Sequence, residues 1–462
     1  MSQYDTQLLA AWCKGRWSSP PNFPLSSVVH DSRRMPPGAL FVAYKGERFD
    51  GHSFIPAAIE NGAAAALVDH SYQPAEDPGI PLLVVEDTAQ ALMDLARGYR
   101  QSSGALIVGV TGSVGKTSVK EMIADVLSTQ GRTSRTRGNW NNDIGLPLSL
   151  LNMKPRSAYG VFEIGMNAPG ELAVLSDILQ PICGVITEIG AAHMEHFASE
   201  SEIAEEKASL LRALPAEGVA VLDRDSRWYD YLASQTQARI VDFSFSREDV
   251  AYRAEAAWYN SMKIVVHERD SGLACDYTMP LPGAFIRQNA LRAIIIGREF
   301  GLQPQQIADA IIQYESPEMR WETHVIQDIT FINDAYNANP VSMKASFSAF
   351  EQMPCHGRKW MVLAGMRELG HFEVQGHHEV GAAAGAGPWE GVIVTGEKGP
   401  LLAQGMRDAV GDTPACHVIP DLEGATERLR SLVQPGDMVL IKGSRGERLE
   451  RLLEQFTESE ED

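Results

Sequence analysis

The sequence predicts an α/β protein of three domains, two of them built on open, doubly wound sheets. Short apolar segments of strand type alternate with helical segments along the chain, which is typical of α/β folds. The 462 residues are too many for a single hydrophobic core. Linker-like stretches near residues 101–103 and 314–318 separate the units. We therefore expect domains at residues 1–102, 103–316 and 317–462, the first being the smallest.

The composition excludes several classes of function. Forty basic and 60 acidic residues give a net charge of −20, which repels nucleic acid and anionic membrane surfaces. The five cysteines are odd in number and lack CxxC spacing, so neither a disulfide framework nor a zinc site is expected. The first residues lack the pattern of a signal peptide, so none is expected, and no apolar run approaches the roughly 20 residues of a membrane span. We expect a cytoplasmic protein with no nucleic-acid partner and no integral membrane segment.

The central unit opens with an apolar strand, a glycine loop and a helix. The loop reads GSVGKT over residues 112–117, a compressed P-loop in which Val110 replaces the first glycine of the longer pattern. Such a loop presents backbone N–H groups and a helix N-terminus to phosphates, while Lys116 reaches the outer phosphates and Thr117 can ligate Mg²⁺. An ordinary glycine-rich turn is the alternative, but the flanking strand and helix favour ATP. The predicted ATP-binding residues here are Gly112, Ser113, Val114, Gly115, Lys116, Thr117 and Ser118.

Two further side chains stand at the carboxyl ends of predicted strands. Glu163 ends the strand that begins at Val161, and His193 follows the strand over 182–187. Ligands of doubly wound sheets bind at this edge, so both are expected near a Mg²⁺ held by Thr117. Carboxylate and hydroxyl oxygens suit Mg²⁺, whereas imidazole is a less usual ligand. Asn141 and Asn142 lie in a loop that turn chemistry alone would explain.

Lys207 interrupts an apolar stripe on a helix predicted over residues 201–214. Its helical neighbours at i−4 and i−3 are Ile203 and Ala204, which offer no ion pair. A snorkelling lysine is one interpretation. The other is a desolvated amine, whose pKa is lowered and which becomes nucleophilic. Such an amine can capture CO₂ as a carbamate, an anionic oxygen ligand for a metal.

The N-terminal unit offers basic and polar side chains from two loops at predicted strand ends. An anionic ligand would need such donors, although solvated loops are an equal alternative. The side chains concerned are those of Ser32, Arg33, Lys45, Asp50 and His52, with Gly51 between the last two.

A series of motifs resembles the Mur ligases of peptidoglycan assembly. In chain order they are VTGSVGKT, RGNWNNDIGLPLSLL, FEIGMNAPGEL, TEIGAAHMEHF, EKASLL, NDAYNANPVSM and KGSR. The stretch PPGALFVAYKGERFDGHSF is similar to the family's first domain, so the likeness spans nearly the whole chain. The GxxGKT loop alone would also fit a folylpolyglutamate synthase.

The resemblance implies an ATP-dependent ligase with ATP and Mg²⁺ as cofactors. The first domain would hold the UDP end of the substrate, a central P-loop ATPase-like domain would bind ATP, and a C-terminal Rossmann-like domain would bring the amine. The likeness is to members that join D-alanyl-D-alanine to UDP-N-acetylmuramoyl-tripeptide. The tripeptide carboxylate would attack the γ-phosphate, giving an acyl phosphate from which the amine displaces phosphate. The family also implies a monomer.

The resemblance also assigns residues. Lys116, His193, Lys207 and Arg320 would form the catalytic set, with Arg320 on the γ-phosphate. Thr117 and Glu163 would hold a first Mg²⁺, and His193 with carbamylated Lys207 a second. The remaining contacts would be Asn289 with adenine, Asp334 with ribose, Asn337 and Arg445 with the amine, and Ser32, Arg33, Lys45, Asp50, Gly51, His52, Asn141 and Asn142 with the UDP substrate.

Two positions depart from the family pattern. Phe285-Ile286 stands where the family usually has His-Asn, which removes part of the expected adenine contact. Ala364-Gly365-Met366 replaces a usual Gly-Asp-Met, so that aspartate has no counterpart. A family member that adds diaminopimelate or lysine would be expected to carry a DNPR-type motif, which is absent. A binding protein that had lost catalysis would be expected to lack Lys116, Glu163 or Lys207, and all three are present.

Overall fold

The computed structural model describes residues 4–46, 49–74, 76–256, 262–411 and 415–458, and it contains three sheets in chain order. Arg48, in the loop between Lys45 and Asp50, and the acidic residues 459–462 at the end of the sequence lie outside the described residues. Within the described ranges, no helix combines the length and the apolar character that crossing a bilayer requires.

The N-terminal unit is a five-stranded sheet with helices against it. Its elements are α1 (Thr6–Trp12), β1 (Arg16–Trp17), β2 (Ser27–Val29), β3 (Ala39–Val42), a 3₁₀ turn (Gly51–Phe54), α2 (Ile55–Glu60), β4 (Ala63–Asp69), β5 (Leu82–Val85) and α3 (Thr88–Ser102). The strand order is β1-β5-β4-β3-β2, with only the β1–β5 pair antiparallel. Asp87 caps α3, because its carboxylate accepts from the amides of Ala89 and Gln90.

The central unit is a nine-stranded sheet that carries the glycine loop. Its first elements are β6 (Leu106–Thr111), α4 (Lys116–Ser128), β7 (Thr133–Arg135), α5 (Gly145–Leu151), β8 (Tyr159–Glu163), α6 (Glu171–Leu179), β9 (Cys183–Ile186), α7 (Glu200–Lys207) and α8 (Ser209–Arg212). The remaining ones are β10 (Val219–Asp223), α9 (Tyr229–Ala233), β11 (Arg239–Ser244), β12 (Tyr252–Ala256), β13 (Lys263–Glu268), β14 (Ala274–Thr278), α10 (Ala284–Glu299) and α11 (Pro304–Ile312).

The order of the central sheet is β14-β13-β12-β11-β10-β9-β6-β8-β7. It is parallel from β7 to β12, and the last two strands are antiparallel. Successive side chains of β6 face opposite sides, so Ile107 packs with α5 and α6 while Val108 packs with α4 and α10. Helices on both faces bury β6, the third strand from the β7 edge, and this fixes the position of the glycine loop at its carboxyl end.

The predicted helix over 201–214 is interrupted at Ala208, between α7 and α8. The guanidinium of Arg212 donates to the carbonyl of Glu205 at 2.9 Å, at the level of this break. The prediction of one continuous helix was therefore wrong in its bounds. Lys207, the last residue of α7, is nonetheless buried, with 2% of its surface exposed.

The C-terminal unit is a six-stranded sheet of order β15-β16-β20-β17-β18-β19, antiparallel only between β15 and β16. Its elements are β15 (Glu322–Ile326), β16 (Ile329–Asn333), α12 (Pro340–Gln352), β17 (Lys359–Leu363), a 3₁₀ turn (Gly370–Phe372), α13 (Glu373–Gly385), β18 (Gly391–Thr395), α14 (Gly399–Val410), β19 (Ala415–Ile419), α15 (Leu422–Leu432), β20 (Met438–Lys442), a 3₁₀ turn (Arg445–Glu447) and α16 (Arg451–Glu458). Three sheets, each with helices packed against it, confirm the predicted α/β fold class. The domain boundaries at residues 102 and 316 stay predictions.

Candidate active site

The glycine loop is shaped by two glycines that no other residue could replace without strain. Gly112 has φ of 155°, and a Cβ there would lie 1.8 Å from Oγ1 of Thr187. Gly115 has φ of 84° and is the N-cap of α4, so the helix begins without a side-chain cap. The first turn of α4 therefore leaves its backbone N–H groups free to meet an anion.

The residues that directly follow β9 form hydrogen bonds with this loop. The amide of Ser113 donates to the carbonyl of Glu188, and the Thr187 hydroxyl donates to the carbonyl of Val114 at 2.6 Å. Buried Arg292 donates to the carbonyl of Thr187 at 3.0 Å and lies 3.5 Å from Asp223. Hydrogen bonds and an ion pair thus connect the loop to the ends of β9 and β10 and to α10.

Thr117, Glu163 and Asn141 form one hydrogen-bonded group beside the loop. The Thr117 hydroxyl donates to Oε2 of Glu163 at 2.7 Å, and the side-chain amide of Asn141 donates to Oε1 at 2.7 Å. Each carboxylate oxygen therefore has a hydrogen-bond donor that orients it, and the Glu163 side chain is almost wholly buried. Lys116 folds back onto the loop, where its Nζ donates to the carbonyl of Gly112 at 2.9 Å. Burial lowers the pKa of Lys116, and the charge of Glu163 opposes that shift.

Lys207 lies behind this group without a carboxylate partner among the described residues. Its Nζ lies 3.8 Å from the thioether sulfur of Met166. Glu206 is no partner, because its carboxylate accepts from the backbone amides of Gly170 and Leu172. Burial, with Lys116 nearby, lowers the pKa of Lys207 well below its ordinary value. A buried amine of this kind fits the expected reaction with CO₂.

His193 faces the C-terminal unit. Its Nδ1 lies 2.7 Å from Oε2 of Glu368, a residue that follows β17. The ring N–H is not aligned with the carboxylate, so the contact is electrostatic rather than a well-formed hydrogen bond. The neighbouring imidazole of His193 lowers the pKa of Glu368. The sequence interpretation missed Glu368, although its place after the carboxyl end of a strand could have indicated it.

The C-terminal unit contributes Arg320, Asp334 and Lys442. The guanidinium of Arg320 lies 4.0 Å from the ring centroid of Tyr336, a cation–π contact. Lys442, buried at the end of β20, lies 2.5 Å from Oδ2 of Asp334. The hydroxyl of Ser346 donates to the same oxygen at 2.6 Å, so this carboxylate is held from two sides.

A cavity of about 290 Å³ lies between the central and C-terminal units, and most of the expected site residues line it. From the central unit these are Ser113, Val114, Gly115, Lys116, Thr117, Ser118, Asn141, Asn142, Glu163, His193 and Asn289, and from the C-terminal unit Arg320, Asp334 and Asn337. The cavity is also lined by residues that the sequence interpretation did not single out as ligands, among them Tyr336, Ser346, Glu368 and Lys442.

Several expected residues lie outside this cavity. Gly112 precedes the lining residue Ser113, and Lys207 contacts the lining residue Met166. Arg445 is exposed and contacts Met319 and Glu450. The N-terminal donors Ser32, Arg33, Lys45, Asp50, Gly51 and His52 lie on a separate unit.

Some of those N-terminal side chains already have partners. Arg33 is paired with Asp31 through two contacts of 2.9 Å, which lower the pKa of Asp31 to about 2. The ring of His52 contacts Asp50 at 2.6 Å and accepts from the amide of Asp69. His52 therefore orders its loop, whereas Lys45, 3.8 Å from the Asp69 carboxylate, remains exposed.

The N-terminal unit meets the loop that carries Asn141 and Asn142. The imidazole of His30 packs edge-on against Trp140, with ring centroids 5.9 Å apart, and the Tyr44 hydroxyl donates to Asp143 at 3.4 Å. A ligand held by the first unit would thus have this loop between it and the cavity.

Where the family pattern has His-Asn, the structure has an apolar wall. Phe285 packs edge-on against Trp321, with centroids 5.3 Å apart, and both line the cavity with Ile286. Asn289 lies one turn further along α10, beside Gly115. An adenine ring there would meet an aromatic and aliphatic surface in place of the missing polar pair.

Models of three protein-domain families match the chain in succession. They are the Mur ligase family catalytic domain over residues 24–100, the Mur ligase middle domain over 110–297 and the Mur ligase glutamate ligase domain over 319–445. A curated UDP-N-acetylmuramoyl-tripeptide–D-alanyl-D-alanine ligase from Bacillus subtilis is 35% identical over 440 residues, 94% of each chain. The chain belongs to the Mur ligase family. The enzyme of the same name from Escherichia coli is 32% identical over 444 residues, again 94% of each chain.

Solved structures agree with this membership. A crystal structure of MurF from Acinetobacter baumannii superposes with a TM-score of 0.88 at 29% identity, covering 98% of this Mur ligase and 99% of that chain. MurF from Thermotoga maritima in complex with ADP gives a TM-score of 0.79 at 27% identity, covering 93% and 96%.

The donor set fits magnesium in the way this family implies. Thr117 and Glu163 offer oxygen atoms of the kind Mg²⁺ prefers. No group of three His, Cys, Asp or Glu side chains forms a ready metal site in the described ranges. A second ion would therefore need an oxygen donor beyond His193, and the unpaired amine of Lys207 could supply one as a carbamate.

Proposed function

We propose that this Mur ligase joins D-alanyl-D-alanine to UDP-N-acetylmuramoyl-tripeptide at the expense of ATP, in the synthesis of the peptidoglycan precursor. The tripeptide carboxylate attacks the γ-phosphorus of ATP, and ADP leaves, so an acyl phosphate forms. The dipeptide amine then attacks the acyl carbon, phosphate leaves, and the amine loses a proton to form the amide. The convergence of the glycine loop, Glu163 and His193 with Arg320 and Asp334 in one cavity carries this proposal.

The chemistry requires charge neutralisation more than acid–base catalysis, because a carboxylate must approach a polyphosphate. Lys116 and the N-terminus of α4 bind the phosphates, and Arg320 contacts the γ-phosphate from the opposite domain. Thr117 and Glu163 would hold the first Mg²⁺, and His193 with Lys207, as a carbamate, would hold the second. When bound, these ions neutralise phosphate and acyl-phosphate charge.

The substrates are held by the remaining residues. Asn289 and the wall of Phe285 receive adenine, and Asp334, held by Lys442 and Ser346, receives the ribose. Asn141 and Asn142 line the path of the substrate, whose UDP end is held by Ser32, Arg33, Lys45, Asp50, Gly51 and His52. Asn337 and Arg445 are assigned to the amine substrate. Asn337 lines the cavity, whereas Arg445 lies outside it.

We further propose a cytoplasmic monomer. ATP and nucleotide-linked precursors are cytoplasmic substrates, and the five cysteines are free thiols, as in a reducing compartment. A single chain supplies both walls of the cavity, so a partner subunit is not needed to complete it.

The proposed function is tested by phosphate release with purified enzyme, ATP, Mg²⁺ and UDP-N-acetylmuramoyl-tripeptide. We expect release in steady state only when D-alanyl-D-alanine is added, with ligated product of matching amount. Hydroxylamine in place of the dipeptide should trap the acyl phosphate as a hydroxamate. Nucleotide binding without release under any amine would instead indicate a binding protein.

The carbamate is tested separately. Lys207→Ala should lose activity, and short carboxylic acids should restore part of it by supplying the missing oxygen ligand. A carbonyl signal from ¹³C-labelled CO₂ should appear in the wild-type NMR spectrum and be absent from the variant. Full activity of Lys207→Ala would contradict the carbamate role.

A further inference from the structure

Two turns from different domains dock on each other at the edge of the cavity. The backbone amide of Glu195 donates to the carbonyl of Glu368 at 3.2 Å. A Cβ added to Gly370 would lie 2.7 Å from Cα of Glu195 and 2.9 Å from the carbonyl oxygen of Met194. We call turns 193–195 and 368–370 together the interdomain latch. Its close backbone approach has room only for glycine at position 370.

Both turns are held in an unfavourable backbone conformation. His193 has φ of 57° and Glu368 has φ of 61°, which place both in the left-handed region that is unfavourable for a residue with a Cβ. Such conformations persist only where the surroundings fix them. At both positions the strained residue is the one whose side chain faces the other domain.

Each turn is anchored within its own domain. On the central side, the Ser113 hydroxyl of the glycine loop donates to the carbonyl of Gly190 at 2.9 Å, shortly before His193. On the C-terminal side, the amide of Met366 donates to Nε2 of His377 at 3.0 Å, and the amide of Arg367 donates to the Ser444 hydroxyl at 3.0 Å. The latch therefore joins two rigid supports rather than two loose loops.

The side-chain contact across the latch has a chemical consequence for His193. A carboxylate oxygen 2.7 Å from Nδ1 attracts an N–H and repels a lone pair, so it favours the tautomer with the proton on Nδ1. Nε2 then keeps the lone pair with which an imidazole binds a metal. Carboxylates that accept from the second nitrogen of a ligating histidine set both its orientation and its basicity. Glu368 is close enough to take that role once the ring N–H turns toward it.

We propose that Glu368 is a positioning residue which fixes the imidazole of His193 when the C-terminal domain closes through the interdomain latch. This inference rests on the proposed function, in which His193 would hold the second Mg²⁺. The domain that brings the amine thereby also completes the site at which the acyl group reacts. Closure and orientation of His193 become one event, so acyl transfer is favoured only in the closed enzyme.

The side-chain part is tested with Glu368→Gln, and Glu373→Gln is the matched control. Glu373 lies on the same domain and pairs with Lys398 away from the cavity. Loss of an outer partner of a metal ligand typically costs about 10–100-fold in metal affinity or activity. We expect a kcat lower by that factor in Glu368→Gln and an ATP KM within about twofold of wild type, because the backbone bond to Glu195 remains.

A binding measurement accompanies the kinetics. Mn²⁺ is titrated into each variant in the presence of a non-hydrolysable ATP analogue and UDP-N-acetylmuramoyl-tripeptide. The weaker Mn²⁺ site of Glu368→Gln should have a Kd about 10–100-fold above that of Glu373→Gln. If either the kcat or this Kd matches the control, the positioning role is overturned.

The backbone part is tested with Gly370→Ala. Small-angle scattering with the same two ligands should show that wild type and Glu368→Gln become more compact, whereas Gly370→Ala does not. Thermal unfolding without ligands checks that Gly370→Ala is folded, and where its midpoint is lower the scattering is measured well below that midpoint. If Gly370→Ala is folded and becomes as compact as wild type when the ligands bind, the close backbone approach at position 370 is not needed for closure and the latch is overturned. Failure of the proposed function would appear instead as a wild-type enzyme that releases no phosphate.

Discussion

Single residues of this Mur ligase act through partners that fix them. The Glu163 carboxylate is oriented by Thr117 and Asn141, each at 2.7 Å, and the Asp334 carboxylate by Lys442 and Ser346. An oriented charged group loses little freedom when a ligand arrives, so its interaction with the ligand is stronger. The pairings themselves are therefore the testable quantities at this scale.

Ser346→Ala should raise the KM for ATP by roughly tenfold with kcat nearly unchanged. The hydroxyl donates to the carboxylate assigned to the ribose, and hydrogen bonds to charged groups contribute about 1.5–3 kcal/mol. Steady-state kinetics at saturating tripeptide and dipeptide measure the effect. Ser348→Ala on the exposed face of the same helix is the control, and equal KM values in the two variants would contradict the role of Asp334.

We expect His377 to make the C-terminal domain less stable in acid. Burial lowers the pKa of His377, whose Nε2 accepts from the amide of Met366 while its Nδ1 contacts the carbonyl of Glu373. A folded pKa below the unfolded value of about 6.5 means that the unfolded state binds more protons as the pH falls. The stability contributed by neutral His377 is thus present above that pH and lost below it.

The apparent Tm should therefore fall between about pH 7 and pH 5, and His377→Gln should reduce that fall. Thermal unfolding measured in matched buffers tests this expectation. His378→Gln, altered at the partly exposed neighbouring position, should keep the wild-type pH profile. A His377→Gln profile identical to wild type would show that another group controls the transition.

Among the elements, the β6–loop–α4 unit depends on two neighbours that approach its backbone closely. Thr187 at the end of β9 occupies the space beside Gly112, and Asn289 of α10 lies beside Gly115. The loop's own backbone hydrogen bonds run to residues at the end of β9. The backbone N–H groups in the first turn of α4 therefore stay available to bind phosphates. The loop's shape is thus a property of three elements together.

Gly112→Ala should raise the KM for ATP by at least about tenfold. The new methyl group would collide with the Thr187 hydroxyl at 1.8 Å, so loop or strand must shift. Gly104→Ala, just before β6, is the control, since no atom lies within 4 Å of its added Cβ. Fluorescent-nucleotide binding measures both variants, and wild-type affinity in Gly112→Ala would mean that the strand yields without cost to the loop.

At the scale of the whole molecule, the cavity exists only between two domains. Lys116 and Glu163 come from one wall, and Arg320, Asp334 and Lys442 from the other. A nucleotide that touches both walls stabilises their closed arrangement, and closure brings the interdomain latch together. Binding, domain closure and orientation of the site are therefore linked in this Mur ligase.

A non-hydrolysable ATP analogue should raise the Tm of the wild type by a few degrees, since 100 times the Kd corresponds to about 2.7 kcal/mol. At the same ligand concentration Arg320→Ala should show a much smaller rise, because one wall loses its phosphate contact. Arg407→Ala on the surface of α14 serves as the control. A wild-type shift in Arg320→Ala would remove that residue from the nucleotide site.

Much of the site was predictable because its chemistry is local in the chain. A strand, a glycine loop and a helix form the phosphate site from consecutive residues, so GSVGKT indicated it directly. Glu163 and His193 were predicted from the rule that strands of a parallel sheet end at one edge. The expected fold class followed from hydrophobic patterning. The same patterning left a snorkelling and a desolvated Lys207 open, and the structure shows that the side chain is buried.

Only the tertiary structure decided which distant side chains meet. Glu368 contacts His193 across 175 positions of the chain, by subtraction of their numbers, and Lys442 reaches Asp334 across 108. No local periodicity encodes such pairs, because they depend on how sheets and domains pack. The sequence by itself determined the phosphate-binding loop, while packing between domains determined the partners that orient the residues around it.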